Sequence, residues 1–199
     1  MTKELEYIGK TVSALRKKFL EGKTKSYEWR VNQLKQISKM MLDNRERWEK
    51  AQYDDLRQQK FLKANEVISS AAEADDLRHM LKDFMKPKYV RVGTLMNHPA
   101  TAYTIREPYG TVLVIAPWNY PISLVVHPLA GAIAAGNNVL LKPSELAPNV
   151  SALFAELIPK YLDNDQVKVI EGAVDETTEL LKQRFDYIFY TGNPQVGKI

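Results

Sequence analysis

The sequence predicts an α/β fold with N-terminal helices, a two-stranded β extension, and a parallel sheet with flanking helices. Three observations point there. Apolar residues recur at helical spacing as far as Pro87. A short alternating stretch follows between Lys88 and Arg106. Beyond Gly110, brief continuous apolar runs take turns with segments of helical spacing, the pattern of strands buried on both faces and joined by crossover helices.

Leu5, Ile8, Val12, Leu15 and Phe19 mark a first amphipathic helix, and Tyr27, Val31, Leu34, Met41 and Leu42 a second after the break at 22–25. A third passes through Phe61, Ala64, Val67, Ile68, Ala71, Leu77, Leu81 and Phe84. It stops near Pro87, because proline has no N–H to donate and restricts the residue before it. Tyr89, Val90 and Val92, then residues 101–105, read as two strands around a turn at Asn97, His98 and Pro99. The runs 111–116, 138–141, 167–170 and 187–190 predict four parallel strands buried on both faces. Between them, Ile122 to Ile133 and Val150 to Tyr161 have helical spacing, and 176–183 makes a short helix capped by Asp175. The expected divisions are a helical segment over 1–87, the β extension over 88–107 and a partial sheet domain over 108–199.

In a parallel sheet of this kind ligands bind beyond the carboxyl ends of the strands. The loops after Ala116, Leu141, Ile170 and Tyr190 are therefore the ones that matter. The last of them, 191–197, should open a helix of which only Lys198 and Ile199 remain. One helical turn is unstable alone and covers no sheet edge, so the sheet is expected to be incomplete and the chain a truncated piece of something longer.

Composition narrows the function classes. With 199 residues, 45% hydrophobic and 26% charged, the chain is ordinary globular material. Its 28 basic and 24 acidic residues are interspersed, with no basic block, so the net charge of +4 describes solvated helix surfaces and not a nucleic-acid footprint. Cysteine is absent, which excludes disulfides, thiolate metal sites and a thiol nucleophile supplied by this chain. No metal site is expected. The longest apolar stretches fall short of the ~18 residues a spanning helix needs, and no targeting segment leads the chain, so a cytoplasmic location is expected.

Three motifs carry chemistry. Pro117-Trp118-Asn119-Tyr120-Pro121 is a loop stiffened by two prolines that presents a primary amide between two aromatics. Such an amide can donate to a developing oxyanion; equally, Asn119 can satisfy turn backbone while Trp118 and Tyr120 serve as core or rim. Lys142-Pro143-Ser144-Glu145 sets a cation and a carboxylate at the next strand end. The pair can hold the hydroxyls of an adenosine ribose, or Lys142 can snorkel while Glu145 faces water. The glycines of the turn from Gly192 to Gly197 permit close backbone approach to phosphate, although Pro194 breaks the G-x-G-x-x-G pattern.

In this order, on consecutive strand ends, the three motifs resemble the aldehyde dehydrogenase superfamily. The linking segments add to the match: Arg106-Glu107-Pro108-Tyr109-Gly110-Thr111, then Gly131-Ala132-Ile133-Ala134-Ala135-Gly136-Asn137, then Glu176-Thr177-Thr178-Glu179-Leu180-Leu181-Lys182 leading into Tyr190-Thr191-Gly192. The last looks like the class 3 branch, which acts on fatty and aromatic aldehydes. The resemblance covers essentially the whole chain and implies an incomplete Rossmann-like sheet. It implies further that Asn119 is the oxyanion donor, that Trp118 and Tyr120 line the aldehyde pocket, and that Lys142 and Glu145 hold the adenosine ribose. Thr191, Gly192, Asn193 and Val196 would lie against pyrophosphate and adenine, with Gly172 and Val174 bordering the adenine. Glu145 should repel a 2′-phosphate, which ranks NAD first, with NADP as the alternative.

Departures from the family pattern count as well. Pro194 stands where a small polar residue is usual, and Ala173 where a second glycine is. The family's nucleophilic cysteine and general-base glutamate lie downstream of the glycine turn, past Ile199. The resemblance thus implies part of an enzyme that oxidises aldehydes to carboxylic acids through a cysteine thioester, with this chain inactive alone. Intact relatives are homodimers or tetramers, and class 3 relatives can carry a C-terminal membrane anchor. A second reading is a short non-catalytic paralogue that binds a partner or dimerises through the strands between Lys88 and Arg106. A third, an acyl-phosphate or acyl-CoA reductase relative, is disfavoured by the class 3-like segments.

Overall fold

The structure, a computed structural model, describes residues 5–93 and 99–198. The chain begins with α1 (Glu6–Leu20), α2 (Tyr27–Asp43), α3 (Arg45–Leu56) and α4 (Lys60–Phe84), followed by β1 (Lys88–Val90) and β2 (Ala102–Thr104). It then alternates: β3 (Thr111–Ile115), α5 (Ser123–Ala134), β4 (Asn138–Lys142), α6 (Pro148–Tyr161), β5 (Val167–Val169), α7 (Val174–Leu181) and β6 (Tyr187–Tyr190).

Local chemistry explains most of these elements. α1 buries Ile8, Val12 and Leu15 of its predicted stripe. The Ser26 hydroxyl caps α2 by accepting from the Trp29 N–H at 3.1 Å. α3 escapes hydrophobic periodicity, since only Trp48, Ala51 and Gln52 are buried and the rest of its surface is held by pairs such as Arg45 with Glu49 at 2.7 Å. α4 differs from its predicted stripe: Phe61, Ile68 and Phe84 face solvent, whereas Glu66, Val67, Ser70, Ala71, Ala74 and Leu81 are buried. The face turned toward α2 and α5 includes a carboxylate and a hydroxyl, which an apolar pattern does not register. α7 is not capped by Asp175; the Glu176 carboxylate accepts from the Ala173 N–H at 2.8 Å instead. β1 and β2 pair antiparallel, Tyr89 opposite Tyr103, and are shorter than expected. Of the turn expected between them, Asn97 and His98 lie outside the described residues.

The parallel strands form a sheet in the order β5-β4-β3-β6. The chain moves outward from β3 through β4 to β5, then crosses back so that β6 joins the other side of β3. Ile115 is in register with both Lys142 and Tyr190, so the carboxyl ends of three strands form one row. β3 and β4 are buried throughout. β6 is not, contrary to the reading of all four runs as buried on both faces: Tyr187, Ile188 and Phe189 are 45%, 44% and 39% exposed. Among the described residues it pairs with β3 alone, at the edge of the sheet.

Alternation along the strands divides two cores. Val112, Val114, Val139, Leu141 and Val167 face α5 and α6, behind which α2, α3 and α4 add a further layer. Leu113, Ile115 and Leu140 face α1, with Leu180 of α7 closing that side. The helices before Pro87 therefore share cores with the sheet. Each fully buried leucine or isoleucine here contributes roughly 1.5–3 kcal/mol. α5 is the sandwiched helix, and its carboxyl end is tied to α2 by the buried Arg30, whose guanidinium donates to the Ala134 carbonyl at 3.2 Å and to Thr24 at 2.9 Å. No helix of the described residues is long and apolar enough to cross a membrane.

Candidate functional site at the carboxyl ends of the strands

The row formed by Ile115, Lys142 and Tyr190 places the loop after β3 between the loop after β4 and the loop after β6. Neighbouring strands lie about 4.8 Å apart, so the loops leaving these ends lie side by side. Because β4 and β6 flank β3 on opposite sides, this row of strand ends is at the topological switch of the sheet, where open α/β sheets bind ligands.

From β3 come Trp118, Asn119 and Tyr120. Trp118 and Tyr120 are 48% and 51% exposed, which removes the reading of the two aromatics as core. The Asn119 side chain is exposed too, and among the described residues its amide makes no hydrogen bond, leaving the donor available to a ligand. Its backbone is held: the Asn119 carbonyl accepts from Gln58 at 3.4 Å and the Tyr120 carbonyl from the Leu124 N–H at 3.1 Å.

From β4, Lys142 reaches Glu145 at 3.0 Å, with side chains 6% and 40% exposed respectively. The lysine does not snorkel; its ammonium is buried against the carboxylate. Partial burial acts to raise the Glu145 pKa, but its backbone N–H and the Lys142 ammonium outweigh that and hold the carboxyl below its ordinary value. Glu145 is thus an ionised acceptor with an exposed edge, and Lys142 a fixed donor behind it. This donor set fits a vicinal diol such as a nucleoside ribose, and it opposes a phosphate ester on the same sugar.

From β5, Gly172 adopts φ +151°, and a Cβ there would fall 2.4 Å from the Glu176 side chain that caps α7. Val174 follows, exposed at the first turn of α7. From β6, half-buried Thr191 leads into an exposed turn that includes Gly192, Asn193 and Val196. It is closed by the Asn193 carboxamide oxygen, which accepts from the Val196 N–H at 2.8 Å. At Gly192 a Cβ would meet the Tyr190 hydroxyl at 2.1 Å, so the glycine lets that ring fold over the turn. The register brings the sets from β3, β4 and β6 to adjacent positions; the β5 pair lies one strand further out, since Val169 is opposite Leu141.

Sequence reasoning missed a second layer of the site. Glu66 of α4 accepts from the Ile122 N–H at 3.3 Å, the Ser123 N–H at 3.2 Å and the Ser123 hydroxyl at 3.0 Å, just behind the Asn119 loop. Gln52 donates to its other oxygen. Nothing in the chain's spacing flags a glutamate whose partners are about sixty residues away.

An α/β sheet wound in two directions, with a lysine–carboxylate pair and an exposed amide at its switch point, places the chain in the class of open α/β proteins. The sequence as a whole settles which one: residues 2–199 match the aldehyde dehydrogenase family, and the chain belongs to it. Among similar proteins, aldehyde dehydrogenase family 3 member B1 of Mus musculus is 44% identical over 186 residues, covering 93% of this chain and 40% of that protein. The substrate-bound state of Staphylococcus aureus AldH superposes with a TM-score of 0.90 at 39% identity, covering 95% of this chain and 41% of that one. Glyceraldehyde-3-phosphate dehydrogenase GapN of Methanocaldococcus jannaschii, complexed with NADP, shares the fold with a TM-score of 0.80 at 22% identity, covering 97% of this chain and 42% of that one. The chain spans about 40% of the length of the relatives it matches.

Proposed function

We propose that this chain supplies the nucleotide-binding and oxyanion-donor portion of an NAD(P)-dependent aldehyde dehydrogenase that oxidises an aldehyde to a carboxylic acid. The observation that carries the reading is the Lys142–Glu145 pair at 3.0 Å, in register beside the loop that exposes Asn119. Glu145 and Lys142 would accept from and donate to the adenosine ribose. Thr191, Gly192, Asn193 and Val196 would flank the pyrophosphate, and Gly172 and Val174 the adenine. When bound, the dinucleotide supplies the hydride acceptor. Asn119 would donate to the oxyanion formed from the substrate carbonyl, a contribution on the order of 3 kcal/mol to transition-state binding. Trp118 and Tyr120 would shape the aldehyde's approach.

NAD ranks ahead of NADP because an ionised Glu145 opposes a 2′-phosphate. The sequence contains no cysteine, so the chain alone is expected not to turn over aldehyde by the thioester route of its family. On this reading residues 1–87 form a helical segment, 88–107 an oligomerisation-type β extension and 108–199 a partial nucleotide domain, in a cytoplasmic homodimer or tetramer. Exposed Tyr89 and Tyr103 on β1 and β2 favour the second reading, a non-catalytic partner that binds through these strands. Titration of NAD into the purified chain tests the first: saturable binding lost in Glu145→Ala supports it, and binding indifferent to that substitution counts against it.

A further inference from the structure

We propose that Glu66 is a positioning residue for the loop that carries Asn119, acting through the first turn of α5. The inference rests on the role of Asn119 given above. An oxyanion donor works only where its N–H is aimed in advance, and a displacement of 1 Å costs on the order of a hundredfold in rate.

α5 starts directly after the loop, and the sequence there offers no local cap. Pro121 has no N–H, and Ile122, in the cap position, makes no side-chain cap. Trp118, Asn119 and Tyr120, which precede Pro121, are exposed. The Ile122 and Ser123 N–H groups would be buried orphans. Glu66 reaches across from α4 and satisfies both, together with the Ser123 hydroxyl, through a single carboxylate oxygen at 3.0–3.3 Å. A negative charge there also complements the positive end of the α5 dipole. Gln52, itself fully buried, holds the other oxygen from behind.

A second contact from the same helical layer fixes the loop at its middle. Gln58 donates to the Asn119 carbonyl at 3.4 Å from the link between α3 and α4. That link contains Arg57 at φ +54°, the one non-glycine residue with positive φ among those described. A left-handed arginine is a strained backbone that the surroundings must hold. Strain next to the loop, a buried carboxylate under it and an exposed amide upon it belong to one arrangement. The helical layer aims the loop, and the sheet only delivers it. Burial outweighs the three donors and leaves the Glu66 pKa above its ordinary value.

The test is amide hydrogen exchange on the full chain, comparing wild type with Glu66→Leu and Glu66→Gln. Glu66→Leu should speed exchange over 118–124 about tenfold, leaving β4 and α6 at wild-type rates. Glu66→Gln should restore protection, because its side-chain oxygen still accepts the three donors and Gln52 can turn its amide to offer an oxygen that now lacks a partner. Unchanged exchange over 118–124 in Glu66→Leu overturns the proposal. So does a rise across the whole chain that Glu66→Gln does not reverse. If Glu66→Leu does not fold, Ser123→Ala decides: faster exchange confined to the same segment supports the proposal, and no change there overturns it. Dinucleotide binding is read separately, so a wild type that binds no NAD but shows this exchange pattern defeats the functional reading alone.

Discussion

Lys142 and Glu145 meet at 3.0 Å where β4 ends, the lysine side chain 6% exposed and the glutamate 40%. The asymmetry makes the two deletions unequal. Glu145→Ala strands an ammonium in the interior and should cost on the order of 1–3 kcal/mol. Lys142→Met leaves a carboxylate that can turn to water and should cost below about 1 kcal/mol. Urea unfolding of the two variants measures the difference.

Acid should weaken the molecule through Glu156. Arg47, donating at 2.6 Å, and Lys160 at 2.7 Å hold its pKa down to about 2 from an ordinary 4.5. The folded state therefore binds this proton less readily than the unfolded state. The stabilisation is present above pH 4.5 and is lost as pH falls through about 2. Melting temperature followed across that window should fall more shallowly in Glu156→Gln than in wild type.

Gly136→Ala should destabilise by more than about 1 kcal/mol. The residue has φ +88°, and a Cβ would lie 2.3 Å from the Arg30 guanidinium that caps α5. Both the backbone and the buried arginine would have to yield. Thermal unfolding of the purified variant checks it, with Gly131→Ala, where nothing stands within 4 Å, as the tolerated control.

Much of this architecture was legible because parallel sheets write continuous apolar runs: 111–115, 138–142 and 187–190 stand almost where the runs placed them. The positions of the motifs were legible as well, since the segments holding Asn119, Lys142, Glu145 and the glycine turn do fall at strand ends. What spacing could not show is long-range and polar. Glu66 and Arg30 sit in helices as ordinary charges, and only their partners in α5, far along the chain, make them structural. α3 hid for a related reason, its packing resting on Trp48, Ala51 and Gln52 in an otherwise charged segment.

The exposed apolar edge of β6 should make the chain associate. Tyr187 and Phe189 also line an apolar groove of about 470 Å³ against His127 and Pro128 of α5. Open edges of this kind pair with other chains. Light scattering should show a mass that grows with concentration, and Ile188→Lys should shift it toward the monomer. A wild type that stays monomeric at high concentration would defeat the expectation.

The most direct test of the central claim is calorimetric titration of NAD, and then NADP, into the chain and its Glu145→Ala variant. The account predicts saturable NAD binding, weaker NADP binding, and loss of NAD affinity in the variant. NAD affinity that is the same in both proteins would contradict the placement of the ribose on Lys142 and Glu145.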